Sequence, residues 1–306
     1  MKKHRLIAVI CLIITAITVY SCKTHFATGQ ENYKATASPL AFERGKAMVF
    51  SSCAGCHYNR SVNKFIGNPI HDVPGIVGKV YSANLTNSKN HGITSHYTDQ
   101  QLKYLLKTGI AKDGRFIPYM LRPNMADDDI NAIIVYLHSN DPAVTAGDTT
   151  IGVTHYNIMG KLYMGITAKP LPYKTGIKLP ADNIAMGRYL VDNIGCFHCH
   201  SKKLTSLNYL DPEQTKGYLA GGAKFKNEQG DNIYASNITP DKETGIGKYT
   251  KADFRKALKD GESPKRKLHP PMPKYKSLND REIDAIYSYL QTIAPVYHKI
   301  KGLKII

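Results

Sequence analysis

The sequence predicts an all-α protein built from two tandem helical domains. Three observations lead to this prediction: the chain repeats itself, the repeated segments carry helix-start signals, and their apolar residues recur at helical spacing. Tyr81–Thr86 (YSANLT) matches Tyr234–Thr239 (YASNIT), and from Tyr81 onward the matches stay 152 or 153 positions apart. Self-similarity at a fixed offset indicates a repeated structural unit.

The first predicted domain covers residues 39–145 and begins with a helix. Ser38 offers a capping side chain, and Pro39 suits the first helical position. The next helix is expected after Thr98, which opens a capping box, and Gly109 marks its end. The last helix is amphipathic, and its apolar face contains Ile130, Ile133, Ile134 and Leu137.

The second predicted domain covers residues 180–297 and repeats this order. Its first helix is expected between Pro180 and Cys196. A capping box at Thr250 opens the next helix, and Gly261 ends it. The apolar face of its last helix contains Ile283, Ile286, Tyr287 and Leu290.

The N-terminus has the pattern of an export signal. A basic segment at 2–5 precedes an uncharged, mostly apolar run over 6–20, which is shorter than the ~20 residues of a spanning helix. Residues 19–22 (VYSC) resemble the lipobox of bacterial lipoproteins. We therefore predict a lipoprotein signal peptide over 1–21 and lipidation of Cys22. An ordinary cleaved signal and an uncleaved, tilted anchor are alternatives, and all three place the folded part outside the cytoplasm.

The remaining segments are expected to connect these parts. Residues 22–38 are polar and small, and they predict a flexible tether. Residues 146–179 contain two prolines and no strong apolar period, and they predict a connector packed across the two domains. Residues 298–306 form a C-terminal tail.

Two cysteine motifs carry the chemistry. Cys53–His57 (CAGCH) and Cys196–His200 (CFHCH) both follow the C-x-x-C-H pattern of c-type haem attachment. This spacing presents two thiols to the two vinyl groups of a porphyrin and places the histidine beneath the iron. In zinc sites the two cysteine pairs are usually separated by ~15–20 residues, and here the separation is far larger. A thioredoxin-like redox pair would need a strand–helix–strand context, which the sequence does not predict. We predict two covalently bound haem c groups, with thioether bonds from Cys53, Cys56, Cys196 and Cys199 and axial ligands from His57 and His200.

Each iron needs a second axial ligand on its other face. A methionine thioether opposite histidine raises the potential, which suits electron transfer. Met272 is the only methionine after Cys199 and lies between prolines. The first domain offers Met120 and Met125; the repeat selects Met120, because Met125 aligns with Leu278, an expected core position.

Several other polar residues are candidates for a role at the haem sites. His71 and His269 are the competing distal ligands, and His198 is expected to be polar and exposed. Four residues recur in both domains and either bond haem propionates or stabilise a turn: Asn84, Thr86, Asn237 and Thr239.

Each unit resembles a class I cytochrome c domain, and the tandem is most similar to the cytochrome c subunits of membrane-bound alcohol and gluconate dehydrogenases. Asn237–Phe254 and then Pro270–Pro273 carry this resemblance, which covers nearly all of 40–145 and 180–296. It implies an all-helical fold in which each domain wraps round one His/Met-ligated haem. The chain departs from those subunits in having two such domains where they have three, and in lacking a proline after Met120.

Composition and charge narrow the possible partners. A hydrophobic fraction of 42% with 21% charged residues excludes a disordered, collagen-like or polytopic membrane protein. The formal charge is +17, yet no basic motif is concentrated enough to predict nucleic-acid binding by an exported haem protein. This charge would attract an acidic protein face or anionic lipid. A merely soluble, lysine-rich surface is the alternative.

These observations together predict a di-haem electron carrier and not an enzyme. It would pass single electrons between a donor dehydrogenase or quinol-oxidising complex and a terminal oxidase, held by its lipid on the periplasmic side of a membrane. A di-haem cytochrome c peroxidase is the alternative enzyme, and a redox-inert haem module that anchors a larger complex is a third hypothesis. Methionines at matching places favour the carrier, because peroxide needs an open iron site.

Overall fold

The protein is described by a computed structural model. The described residues are Arg5, 26–29, 32–71, 73, 75–149, 151–203, 206–226 and 230–300. The predicted lipidation site Cys22 and, apart from Arg5, the predicted signal peptide lie outside them. Across the described ranges, no helix is both long enough and apolar enough to cross a membrane.

The structure is rich in helices, as predicted. Two short helices begin at the attachment motifs, and the others correspond to the predicted domains or lie between them. In chain order the helices are α1 Pro39–Ser52, α2 Ala54–His57, α3 Asp99–Thr108, α4 Asp127–Leu137, α5 Ile158–Thr167, α6 Asn183–Asn193, α7 Cys196–His200, α8 Lys251–Asp260 and α9 Asp280–Leu290.

Two small antiparallel strand pairs distinguish the structure from the all-α prediction. The four strands are β1 Gly78–Lys79, β2 His155–Tyr156, β3 Lys224–Lys226 and β4 Asn232–Tyr234. Gly78 lies opposite Tyr156 in the first pair, and Phe225 lies opposite Ile233 in the second. Strands of two or three residues are too short to produce the alternating pattern by which a sequence predicts a strand.

The helix boundaries follow the predicted caps. The side chain of Thr98 accepts a hydrogen bond from the Gln101 amide, and Thr250 accepts one from Asp253 in the equivalent capping box. Gly109 ends α3 in the left-handed conformation with φ of 77°, which glycine adopts without steric cost. The start of α6 lies three residues after Pro180, because Asp182 and not the proline caps it.

The first and last helices of each domain cross at a glycine. We call residues 39–145 the first repeat and residues 180–297 the second repeat. A Cβ atom on Gly45 of α1 would lie 1.9 Å from the carbonyl oxygen of Ala132 in α4. A Cβ atom on Gly187 of α6 would lie 2.0 Å from the carbonyl oxygen of Ala285 in α9. Both crossings therefore bring backbone against backbone, at a distance that only glycine permits.

The two repeats pack against each other through one continuous apolar core, which contains residues of α1, α4, α6 and α9. A buried polar cluster crosses the same boundary. Asp129 is fully buried and accepts hydrogen bonds from Arg44 (Nε to Oδ1, 2.6 Å) and from the hydroxyl of Tyr189 (2.5 Å to Oδ2). Arg44 also forms an ion pair with Glu282. Because the core is shared, the domain boundaries stay predictions.

Described parts of the predicted tether and connector contact the first repeat. Within the predicted tether, the Phe26 amide donates to the Gly114 carbonyl (2.7 Å) and the Ala35 amide donates to Asp99 (2.9 Å). The flexibility of the tether stays a prediction, and residues 22–25 and 30–31 of it lie outside the described residues. In the connector, β2 pairs with β1, and α5 follows it.

Candidate functional site

Each attachment motif lies on a short helix. Cys53 caps α2, and Gly195 starts α7 in the left-handed conformation with φ of 89°. None of the described cysteines forms a disulfide bond. Burial raises the pKa of the Cys53 thiol, and it raises the pKa of the Cys196 thiol to about 12. Both are therefore protonated thiols near neutral pH, which leaves them intact for thioether formation.

The two motif histidines have matching hydrogen bonds. The ring Nδ1 of His57 lies 2.8 Å from the carbonyl oxygen of Ala83, and the Nδ1 of His200 lies 2.8 Å from that of Ser236. A carbonyl oxygen only accepts, so each Nδ1 carries the proton and each Nε2 keeps its lone pair for a metal. Burial lowers the pKa of both histidines, which favours the neutral ligand form. The donor chemistry therefore fits a haem iron in both motifs.

A large cavity adjoins both attachment motifs. Its volume is about 3050 Å³, well above the ~300–1,000 Å³ of a pocket for one small ligand. Cys53, Cys56 and His57 line it from the first repeat, and His198 and Cys199 line it from the second. None of the described residues in its wall is an aspartate or glutamate. Basic side chains, among them Arg115, Arg122 and Lys265, also line it, so the space suits a large, mainly apolar group that carries negative charges.

A second, smaller cavity of about 60 Å³ lies beside His200. Ser236, Asn237 and Met272 also line it. The structure therefore brings Met272 and His200 to one cavity wall, while Cys199 of the same motif faces the large cavity.

The two methionines that could be the distal ligand of the first repeat differ in how deeply they are buried. Met120 ends a 3₁₀ turn, is partly buried and lines the large cavity with His57. Met125 also borders this cavity but is fully buried in the apolar core, as is the equivalent Leu278. The core position of Met125 favours Met120 as the ligand. The competitors His71 and His269 line the large cavity as well.

The recurring asparagines and threonines form buried turns. Asn84 accepts hydrogen bonds from the amide and hydroxyl of Thr86 (2.8 and 2.7 Å), and its amide nitrogen donates to the Gly147 carbonyl (2.8 Å). Asn237 accepts from Thr239 in the same way (2.9 and 2.8 Å). The polar atoms of these side chains already form hydrogen bonds within the protein, which favours the turn role over bonding to haem propionates.

Sequence analysis missed two features of the site. His198 is partly buried, in contrast to the exposed position expected, and its Nε2 has no hydrogen-bond partner among the described residues. Arg122 lines the large cavity between the attachment motifs, and its Nε donates to the Asn193 carbonyl of the second repeat (2.9 Å). Neither residue has a counterpart of the same type in the other repeat, so the repeat pattern gave no signal for it.

The chain is similar in sequence to cytochrome subunits of bacterial dehydrogenases. No protein-family model matches it. It is 28% identical over 276 residues to the fructose dehydrogenase cytochrome subunit of Gluconobacter japonicus, and this match covers 85% of this chain and 54% of that protein. It is 26% identical over 237 residues to the cytochrome c subunit of the quinone alcohol dehydrogenase of Gluconobacter oxydans (74% of this chain, 48% of that protein). It is 25% identical over 273 residues to the gluconate 2-dehydrogenase cytochrome c subunit of Pantoea cypripedii (84% and 60%).

The similarity extends along most of this chain but only part of each relative. The chain spans about half the length of the curated relatives it matches. The match to the fructose dehydrogenase subunit covers 85% of the chain, so it includes both attachment motifs wherever it begins. The resemblance predicted from the repeat and its motifs is therefore confirmed: the chain is similar to the cytochrome c subunits of fructose, alcohol and gluconate dehydrogenases, as expected of a tandem cytochrome c.

Proposed function

We propose that the chain is a di-haem c-type cytochrome that carries single electrons between respiratory components of the cell envelope. The observation that carries this proposal is the duplicated donor set: each repeat has a C-x-x-C-H helix whose histidine bonds an equivalent backbone carbonyl at 2.8 Å. Each repeat also has a methionine that lines the same cavity as that histidine. A bound haem supplies the iron couple that gains and loses the electron.

The chain's own residues would hold each group in place. In the first repeat, Cys53 and Cys56 would form the thioether bonds, and His57 and Met120 would be the iron ligands. In the second repeat, the same roles would belong to Cys196, Cys199, His200 and Met272.

A carrier fits the cavity walls better than a peroxidase does. A peroxidase needs an iron site open to peroxide and a neighbouring group that moves a proton. Both repeats offer a methionine that would close the iron site, and the described residues of the large cavity wall include histidines but no carboxylate to pair with them in proton transfer. The relatives are subunits of dehydrogenases, which supports a dehydrogenase as the electron donor.

The haem content and ligation test this proposal. Protein matured by c-type haem machinery is expected to hold two covalent haems per chain, and Cys56→Ala and Cys199→Ala are each expected to remove one. Met120→Leu and Met272→Leu are each expected to remove about half of the sulfur-to-iron charge-transfer absorption of the oxidised protein, because leucine has no donor atom.

Met125→Leu is the matched control for these variants, since it changes a core methionine and keeps the band. A five-coordinate haem with rapid peroxide turnover in the wild type would support the peroxidase instead. A single haem per chain would contradict the duplication of the site.

We further propose that lipid on Cys22 holds the protein on the periplasmic side of a membrane. Incorporation of labelled palmitate by the wild-type chain is expected, and Cys22→Ser is expected to abolish it, because only the cysteine thiol accepts the lipid. Cys11→Ser, within the apolar run, is the matched control and is expected to keep the label. Recovery of the unlabelled wild type in the soluble periplasmic fraction would contradict the anchor.

A further inference from the structure

The glycines at the two helix crossings mark equivalent positions in the repeats, because each lies against a tyrosine of the crossing helix. A Cβ atom on Gly45 would lie 2.8 Å from the Cβ of Tyr136 in α4. A Cβ atom on Gly187 would lie 2.8 Å from the Cβ of Tyr289 in α9. Positions counted from these glycines along α1 and α6 can therefore be compared directly.

The side chains five positions after these glycines differ in kind. In the first repeat, Phe50 packs against the rings of Tyr58 and Phe65, whose centroids lie 5.4 and 5.1 Å from its own. In the second repeat the same position is Asp192, whose side chain is only 11% exposed. The second repeat therefore places a nearly buried carboxyl group where the first has an aromatic core residue. Such a group is costly to bury unless it is hydrogen-bonded.

Asp192 begins a chain of hydrogen-bonding contacts between two carboxyl groups and two phenols. The hydroxyl of Tyr218 lies 3.1 Å from Oδ1 of Asp192 and 3.0 Å from the hydroxyl of Tyr289. The hydroxyl of Tyr289 lies 2.8 Å from Oε1 of Glu213. We call these four residues the carboxyl–phenol chain. It adjoins the second attachment motif, since the ring centroid of Tyr218 lies 6.5 Å from that of Phe197.

The carboxyl–phenol chain has more contacts than its phenols can supply with protons. Its three contacts need three protons, whereas each of the two phenols supplies one. If both carboxyl groups were ionised, they would only accept, so both phenol protons would point towards them. The two phenol oxygens would then face each other at 3.0 Å with no proton between them. One further proton, on a carboxyl group, completes all three hydrogen bonds.

The charges around the carboxyl–phenol chain also favour one added proton. Nε of Arg188 lies 3.3 Å from Glu213 and 3.9 Å from Asp192, and its Nη2 lies 3.5 Å from Asp211. Three carboxyl groups therefore surround one guanidinium. The side chain of Asp192 is the least exposed of the three, since those of Glu213 and Asp211 are 39% and 49% exposed. Asp192 is therefore the acid that water stabilises least in its ionised form.

Asp192 titrates near neutral pH, because burial raises its pKa to about 7. Burial also raises the pKa values of Tyr218 and Tyr289, so both phenols keep their protons. Cys196 interacts electrostatically with Asp192 as well, but as a thioether in the haem-bound protein it would carry no charge.

We propose that the carboxyl–phenol chain is a proton site that fills when the second haem is reduced and empties when it is oxidised. The inference rests on the proposed function. One electron enters the haem, and one proton passes from solvent to the carboxylate, with Glu213 as the more exposed end of the chain. The added negative charge raises the affinity of a neighbouring carboxylate for a proton. This linkage is reciprocal, so the potential of the second haem falls as the pH rises.

Redox titration of the holoprotein at several pH values tests the proposal. We expect the proton affinity to rise about threefold on reduction, which lowers the potential of the second haem by about 30 mV between about pH 5 and pH 9, since 59 mV corresponds to tenfold. Asp192→Asn keeps a polar side chain that binds no proton, and it is expected to remove this fall. The second haem is identified in a Met272→His background, in which loss of the thioether lowers its potential alone.

Infrared difference spectra between the reduced and oxidised holoprotein give an independent readout. The carbonyl stretch of a protonated carboxyl group is expected to grow on reduction of the wild type and to stay unchanged in Asp192→Asn. Tyr218→Phe removes the donor that stabilises ionised Asp192, so the midpoint of the pH dependence is expected to move to higher pH.

Asp211→Asn is the matched control. Asp211 lies beside Arg188 but outside the carboxyl–phenol chain, so this variant is expected to keep both the fall in potential and the infrared signal. A second-haem potential that stays constant with pH in the wild type, or that falls equally in Asp192→Asn, would overturn the proposal while two intact haems keep the carrier function. Failure to bind two haems would overturn the proposed function and this inference together.

Discussion

Asp129→Ala is expected to lower the free energy of unfolding by about 3–5 kcal/mol. The carboxylate is fully buried between the repeats, where it accepts hydrogen bonds from Arg44 at 2.6 and 2.9 Å and from Tyr189 at 2.5 Å. Its removal leaves the guanidinium of Arg44 with only Glu282 as an acidic partner among the described residues. A partly buried cation that loses its main partner keeps its desolvation cost without the compensating attraction.

Urea unfolding of the holoprotein measures this effect, with the visible absorption of the haems as a check on the native state. Asp128→Ala is the matched control, because Asp128 precedes Asp129 in α4 and is exposed. Its loss is expected to cost only the small interaction of an acid with the helix N-terminus, about 0.3–1 kcal/mol. Equal destabilisation by the two substitutions would show that Asp129 is not the anchor of the polar cluster.

Gly45→Ala and Gly187→Ala are expected to destabilise the protein by at least about 1–3 kcal/mol each, the usual cost of overpacking. The added methyl group would lie 1.9 Å from the Ala132 carbonyl oxygen in the first case and 2.0 Å from the Ala285 carbonyl oxygen in the second. Both obstacles are backbone atoms in the middle of a helix, so no side-chain rotation relieves the clash and the helices must separate.

Thermal unfolding measures the loss, and Gly75→Ala provides the control, because a Cβ atom there meets nothing within 4 Å. The control is expected to keep the midpoint of the wild type. We also expect carbon monoxide to bind the haem iron of the two variants at a lower temperature than in the control, because loosened packing frees the distal ligand before the chain unfolds. An unchanged midpoint in both variants would contradict the close helix crossing.

The parts of the fold that sequence analysis predicted are those with local signals. Thr98 and Thr250 open capping boxes whose pattern is visible over four residues, and both boxes are present. The close crossings at Gly45 and Gly187 left no such signal, because they depend on the distance between two helices that are far apart in the chain. Helix α5 was also missed, since its apolar residues belong to a connector with prolines after it.

In the candidate site, too, the residues with a local sequence signal were predicted and those without one were missed. The cysteines and histidines of the two motifs were predicted because the C-x-x-C-H spacing alone indicates haem attachment. Arg122 was not, because the second repeat has no arginine at the matching position and the contact of Arg122 with Asn193 joins residues far apart in the chain.

The apolar core shared by the repeats has a kinetic consequence. Domains joined only by a linker exchange electrons at a rate limited by how often they collide, and that rate falls as the solvent becomes more viscous. Here helices from both repeats lie in one core, and the buried contacts of Asp129 with Arg44 and Tyr189 cross between them. The distance between the two sites is therefore fixed, and transfer inside the proposed carrier proceeds without diffusion of one half relative to the other.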